Sequence, residues 1–149
     1  VGIPHVTPHA EVEQVWPRDG RVRIVGRVHG IDPEPGACRL ILVLREHKEQ
    51  EVHAEAELDG HGFDVSVPIG DLVPAYGPLT GVWDAYLAVW RAGGERRLRV
   101  GRRLDDIPDK NKVMVFPAQA VPVDDRRVLV RPRYTVRNNL SVDYEWSEG

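Results

Sequence analysis

The chain is poor in most of what catalysis and secretion draw on. It has one cysteine, Cys38, so no internal disulfide can form, which fits a reducing cytosol. Cys38 opens the strand-like run CRLILVL and reads as a small buried hydrophobe rather than a nucleophile. No apolar run approaches the roughly 20 residues that a membrane helix requires, so no direct membrane insertion is expected. The opening VGIPHVTPHA has neither the basic start nor the apolar core of a signal peptide, and it lacks an initiator Met. The chain therefore reads as one domain, residues 1–149, excised from a longer protein.

Reactive constellations are equally scarce. His5 and His9 are four apart, but Pro4 and Pro8 deny them a shared helix face, and the other histidines are scattered. Asp105-Asp106-Ile107-Pro108-Asp109 resembles an acidic metal motif, yet Pro108 opposes helix and Arg102, Arg103 and Lys110 flank the acids. Ser66 and Ser141 lie in strand runs without a nucleophile elbow. Gly93-Gly94 belongs to a hairpin turn, not to a phosphate loop before a helix. Asn139-Leu140-Ser141 matches a glycosylation sequon, which has no use without secretion. The expectation is no catalytic residue, no metal and no cofactor.

What the chain does have is strand pattern. Residues 82–90, VWDAYLAVW, and 95–100, ERRLRV, flank the turn Arg91-Ala92-Gly93-Gly94. Trp83, Ala85, Leu87 and Val89 fall on one face, and Val82, Tyr86, Ala88 and Trp90 on the other. A strand apolar on both faces is a central one. Residues 9–16 and 22–28 alternate, 39–45 form a core run, 51–58 read as an edge strand, and 63–67 alternate again. One short helical turn is predicted at Ile69–Val73, and last strands at 113–116, 128–130 and 140–146. About ten short strands between Gly, Pro and Asp turns predict an all-β chain, an antiparallel immunoglobulin-like β-sandwich.

Charge is unevenly distributed. Residues 1–90 hold seven Lys/Arg against fourteen Asp/Glu, whereas residues 91–137 hold thirteen against six. Arg97 and Arg99 share one strand face, and Arg131 and Arg133 another, with Tyr134 and Arg137 near. If those strands adjoin, several guanidiniums converge on a surface suited to phosphate. If folding instead sets acidic strands beside basic ones, the charges cancel. Trp90 and Trp146 are the tryptophans expected at the surface, where an indole can stack on sugar; Trp83 is expected in the core.

Two strings carry a resemblance. Gly81-Val82-Trp83-Asp84 with Arg97-Leu98-Arg99-Val100-Gly101-Arg102, and the closing Arg133-Tyr134-Thr135-Val136-Arg137-Asn138-Asn139-Leu140-Ser141, resemble the β-sandwich accessory regions of actinobacterial teichoic-acid-type cell-wall polymer transferases. These enzymes join a family-2 glycosyltransferase domain, sometimes with a glycerophosphotransferase domain, to such modules. The resemblance covers residues 80–142 and implies that catalysis lies elsewhere in a cytoplasmic, membrane-peripheral parent enzyme. The Asp-x-Asp motif of that catalytic domain is absent here.

The function expected is therefore a non-catalytic module that binds an anionic cell-wall polymer or positions a catalytic domain. Arg97, Arg99, Arg131 and Arg133 would contact phosphates, Arg102, Arg103 and Arg137 would form the rim, and Trp90 or Tyr134 would stack on sugar. The rival expectation is a structural module that mediates interdomain contact or a homo-oligomer without any ligand. Nucleic acid is not expected as a partner, since the pI is near 6.1 and no binding-fold signature is present.

Overall fold

The computed structural model describes residues 8–74, 78–91, 93–102, 116–135 and 137–148. They form ten strands and one 3-10 turn: β1 (His9–Arg18), β2 (Arg21–His29), β3 (Gly36–Leu44), β4 (Glu51–Asp59), β5 (Gly62–Pro68), the turn Ile69–Leu72, β6 (Thr80–Arg91), β7 (Gly94–Gly101), β8 (Gln119–Val123), β9 (Arg126–Tyr134) and β10 (Leu140–Glu148). The predicted strand at 113–116 falls largely outside the described residues. β8 was not anticipated, because Pro122 and the short run QAVPV carry little strand signal.

Hydrogen bonding runs in the order β3-β4-β5-β2-β1-β7-β6-β10-β9-β8, with a further ladder between β3 and β6. That ladder closes the first seven strands into a barrel and leaves β10, β9 and β8 as an extension. The all-β class is as expected; the pairing describes a closed barrel plus extra strands, not specifically the immunoglobulin-like sandwich. Nor is every ladder antiparallel, since β1 and β7 run parallel at Ala10↔Val100 and Glu11↔Gly101. Closure has a physical reason: it removes sheet edges that would otherwise expose unpaired backbone groups.

β6 organises the molecule. One of its edges pairs with β3 over residues 83–88. Its other edge pairs with β10 over residues 80–84 and then with β7 over residues 86–91. The sheet therefore forks at Asp84–Tyr86. Trp83, Ala85, Leu87 and Val89 all point into the core, as the alternation predicts. There they meet Leu40, Leu42 and Leu44 of β3 and Leu98 and Val100 of β7, each buried large aliphatic contributing roughly 1.5–3 kcal/mol. The Trp83 indole N–H donates to the Leu72 carbonyl at 2.9 Å, which ties the 3-10 turn to the core. Cys38 is buried in the same core, and burial pushes its thiol up to about 11.

Two local features set the shape. β1 carries a bulge between Val12 and Gln14, opposite Gly26 of β2. A Cβ on Gly26 would lie 2.0 Å from the Glu11 carbonyl oxygen and 2.8 Å from the Phe63 ring, so only glycine fits there. The extension is clasped back onto the barrel by Gln119, whose side-chain oxygen accepts from the Gly20 N–H and whose amide donates to the Arg21 carbonyl, both at 2.8 Å. One side chain thus reproduces the two hydrogen bonds of a strand pair.

Candidate functional site

The predicted arginines separate into two environments. The first is the outward face of β4, β3, β6 and β7, continued by β10 and β9. Its cross-strand register places basic and acidic residues side by side. Arg97 donates to Glu51 of β4 at 2.9 Å and approaches Glu95 at 3.4 Å. Arg39 pairs with Glu95 and reaches His53 at 3.2 Å. Arg45 pairs with Asp84 at 2.7 Å, and Arg133 with Asp143 at 2.7 Å. Convergence does occur, since Arg99 and Arg133 flank Ser141, but carboxylates stand between the guanidiniums. Hydrogen bonds from Arg97 and His53 hold the Glu51 carboxyl down at about 2.

Arg99 fills the fork of β6. Its Nη1 donates to the Ala85 carbonyl at 2.7 Å and the Leu140 carbonyl at 2.9 Å; its Nη2 reaches Asp84 at 3.1 Å and Ser141 at 3.2 Å. The guanidinium also lies 5.1 Å from the centre of the Tyr86 ring. Burial lowers its pKa, with Asp84 and Tyr86 opposing. For Asp84 burial works upward, but Arg45, Ser141 and Arg99 together bring the carboxyl below its ordinary value. Four acceptors within reach of two guanidinium nitrogens explain why arginine, with its fork of donors, occupies this position.

The second environment is a cleft of about 330 Å³ lined by Pro8, His9, Arg99, Gly101, Arg102, Arg137, Asn138 and Asn139. It brings together three of the predicted arginines, and no acidic residue lines it among the described residues. Three pieces of chain build it: the start of β1, the end of β7 and the turn between β9 and β10. The turn is fixed by Asn138 N–H donating to the Thr135 carbonyl and Thr135 N–H donating to the Asn139 carbonyl, each at 2.8 Å. β7 docks on it through Arg102 N–H to the Asn138 carbonyl at 2.8 Å. Gly101 permits this approach, because a Cβ there would lie 2.7 Å from that same oxygen.

Around the cleft, His9 Nε2 lies 2.8 Å from Glu11, and its ring stacks on His29 at 5.4 Å. Tyr134 is partly buried beside Phe116, ring centres 5.9 Å apart. Burial pushes the Tyr134 hydroxyl up, with Glu11 adding to the shift and Arg102 opposing it. Arg137 is exposed at the rim. The arrangement suits an anion: Arg102 and Arg137 at the opening, the Arg99 guanidinium behind them, and asparagines at the edge.

The remaining predicted positions lie elsewhere. Arg131 borders a separate groove of about 360 Å³ with Asp143 and Glu145. Trp90 is 45% exposed near the hairpin turn of β6 and β7. Trp146, expected at the surface, is only partly exposed, whereas Trp16, not one of the two expected there, is exposed. Arg103 lies outside the described residues. Sequence reasoning missed His9, Asn138 and Asn139 as cleft residues, since each meets Arg102 only through the fold. Among the described residues no group of three or more His, Cys, Asp or Glu is placed to hold a metal ion. No helix there is long and apolar enough to cross a membrane.

No family model matches the chain, and no curated protein matches it in sequence. Solved structures do match in fold. The crystal structure of S. aureus TarS superposes with a TM-score of 0.70 at 18% identity, over 95% of this chain and 25% of that one. The structure of S. aureus TarS 217-571 gives 0.71 at 18% identity, over 100% of this chain and 41% of that one. The chain thus spans a quarter to two-fifths of the structures whose fold it shares.

Proposed function

We propose that this chain is a non-catalytic accessory module of a cell-wall polymer glycosyltransferase, acting on the cytoplasmic side. One observation carries the reading: essentially the whole chain superposes on part of S. aureus TarS, a teichoic acid glycosyltransferase. The likeness in fold and the resemblance of residues 80–142 to actinobacterial transferases support the same assignment. We also infer that the barrel is a closed immunoglobulin-like sandwich. β1, β2 and β5 then stand as strands A, B and E, facing β7, β6, β3 and β4 as G, F, C and C′. Its two joints are short, at the parallel β1–β7 pairs and at Leu58↔Phe63 with Asp59↔Gly62.

In this reading the module holds an anionic polymer. Arg102 and Arg137 grip a phosphate in the cleft and Arg99 supplies a fixed positive charge behind them, whereas Arg97, Arg131 and Arg133 on the sheet face stand beside carboxylates and contribute little. Exposed Trp90 offers a stacking surface for sugar at the far end of β6. The test is a titration with poly(glycerol phosphate) and poly(ribitol phosphate) at low and high salt. Binding that weakens steeply with salt and is lost in R102E/R137E is the expected result. A folded chain that binds neither polymer at low salt overturns it. In that event light scattering decides the structural alternative, an oligomeric or interdomain module.

A further inference from the structure

A second cleft, of about 500 Å³, opens at the end of the barrel where the β2–β3 loop, the β4–β5 turn and the β6–β7 hairpin meet. Its volume lies within the roughly 300–1,000 Å³ of small-molecule sites. Arg27, His29, Ile31, Asp32, His61 and Arg91 supply its side chains. None of them was singled out as a site residue from the sequence. Asp32 knits the three segments together. Its carbonyl accepts from Arg91 Nη1 at 2.7 Å, and its carboxylate lies 3.0 Å from His61 Nε2. A further backbone bond, Val28 N–H to the His61 carbonyl at 2.8 Å, locks the β4–β5 turn against β2. The site is therefore organised without a ligand.

Its chemistry is specific. Arg27 and Arg91 are exposed guanidiniums, and neither pairs with a carboxylate among the described residues. Arg91 uses one nitrogen on Asp32 and keeps other donors for a ligand. Two guanidiniums facing a common space select an anion, above all phosphate. The lone carboxylate of Asp32 would repel a bare dianion brought close to it, but it accepts a hydrogen bond from a hydroxyl. The His29 and His61 rings add further hydrogen-bonding groups, and Ile31 adds an apolar wall.

We propose that this cleft binds a small hydroxylated organic phosphate, with the phosphate between Arg27 and Arg91 and a ligand hydroxyl on Asp32. The two clefts share no lining residue, but His9 of one stacks on His29 of the other, so R102E/R137E serves to keep the two proposals apart. The experiment is an NMR titration of the chain with glycerol 3-phosphate, with glycerol and inorganic phosphate as separate arms, reading the His29 and His61 ring resonances. Saturable shifts with glycerol 3-phosphate are expected, with affinity lowered at least about 10-fold in R27A/R91A and unchanged in R102E/R137E. Absence of saturable shifts, or shifts that survive in a folded R27A/R91A, overturns the site. Equal affinity for inorganic phosphate overturns the hydroxyl contact at Asp32; D32A, which keeps the main-chain carbonyl that Arg91 uses, should bring glycerol 3-phosphate down to the affinity of inorganic phosphate, and an unchanged preference in D32A overturns that contact too. Loss of polymer binding with retention of these shifts separates the two proposals.

Discussion

The sheet face of β4, β3, β6 and β7 and the cleft beside the β9–β10 turn are both rich in arginine, yet they differ in what lies next to it. On the face, register sets Glu51, Glu95, Asp84 and Asp143 against Arg97, Arg39, Arg45 and Arg133. In the cleft, Arg102 and Arg137 stand with Arg99, itself paired with Asp84 on the sheet side, among asparagines, a histidine and backbone, and among the described residues no carboxylate lines the space. The same residue type is thus largely neutralised in one place and gathered in the other. Counting arginines along the chain cannot separate the two cases. Cross-strand pairing can, because it decides which carboxylate stands within a few ångströms.

Breaking the comparison at Arg99 should have the largest effect, since this residue belongs to both regions. Arg99→Met leaves the Ala85 and Leu140 carbonyls and Asp84 without their shared donor. We expect a loss of about 3 kcal/mol in urea denaturation, the low end for breaking a buried pair, because Arg99 is only partly buried. Arg99→Lys should recover only part of it, as one ammonium cannot span four acceptors. A loss below about 1 kcal/mol would mean that the fork is held by packing alone.

The next effect is on binding rather than stability. R102E/R137E should weaken polymer affinity at low salt by at least about 10-fold, near 1.4 kcal/mol, whereas R97Q should change it by less than about two-fold. The reverse ranking would place polymer recognition on the sheet face. Gln119→Ala should lower stability by about 1 kcal/mol and speed hydrogen exchange at the Gly20 amide, because the clasp makes two hydrogen bonds at the surface. Unchanged exchange there would show that the extension is seated by its core residues alone.

Glu51 sharpens the comparison most finely. Its carboxyl lies at about 2 in the folded chain against an ordinary 4.5. The Arg97 pair therefore stabilises the fold in full above about pH 4.5, and that contribution disappears as pH falls towards 2. Solvent screening keeps it below about 1 kcal/mol. Glu51→Gln should accordingly flatten the acid limb of a melting profile only slightly. It should also uncover Arg97 and raise low-salt polymer affinity. An unaltered acid limb would show that the Glu51–Arg97 bond contributes nothing measurable.

The sequence by itself determined the all-β class, the inward face of β6, the core place of Trp83 and, to within one residue, the short turn that starts at Ile69. These follow from a side-chain period of two and from turn residues, which act over a few positions. Residues 126–134 were harder, because only VLV shows as an apolar run while arginine and proline mask the rest of β9. Tertiary structure alone decided the closing β3–β6 ladder, the fork that Arg99 fills, and the meeting of His9, Arg102 and Arg137. It also decided which cations of the basic block meet a carboxylate from residues 1–90, as Arg97 meets Glu51 across 46 positions and Arg99 meets Asp84. Each of these depends on which distant strands lie side by side. Local alternation leaves that order open, and only the burial of one common core selects it.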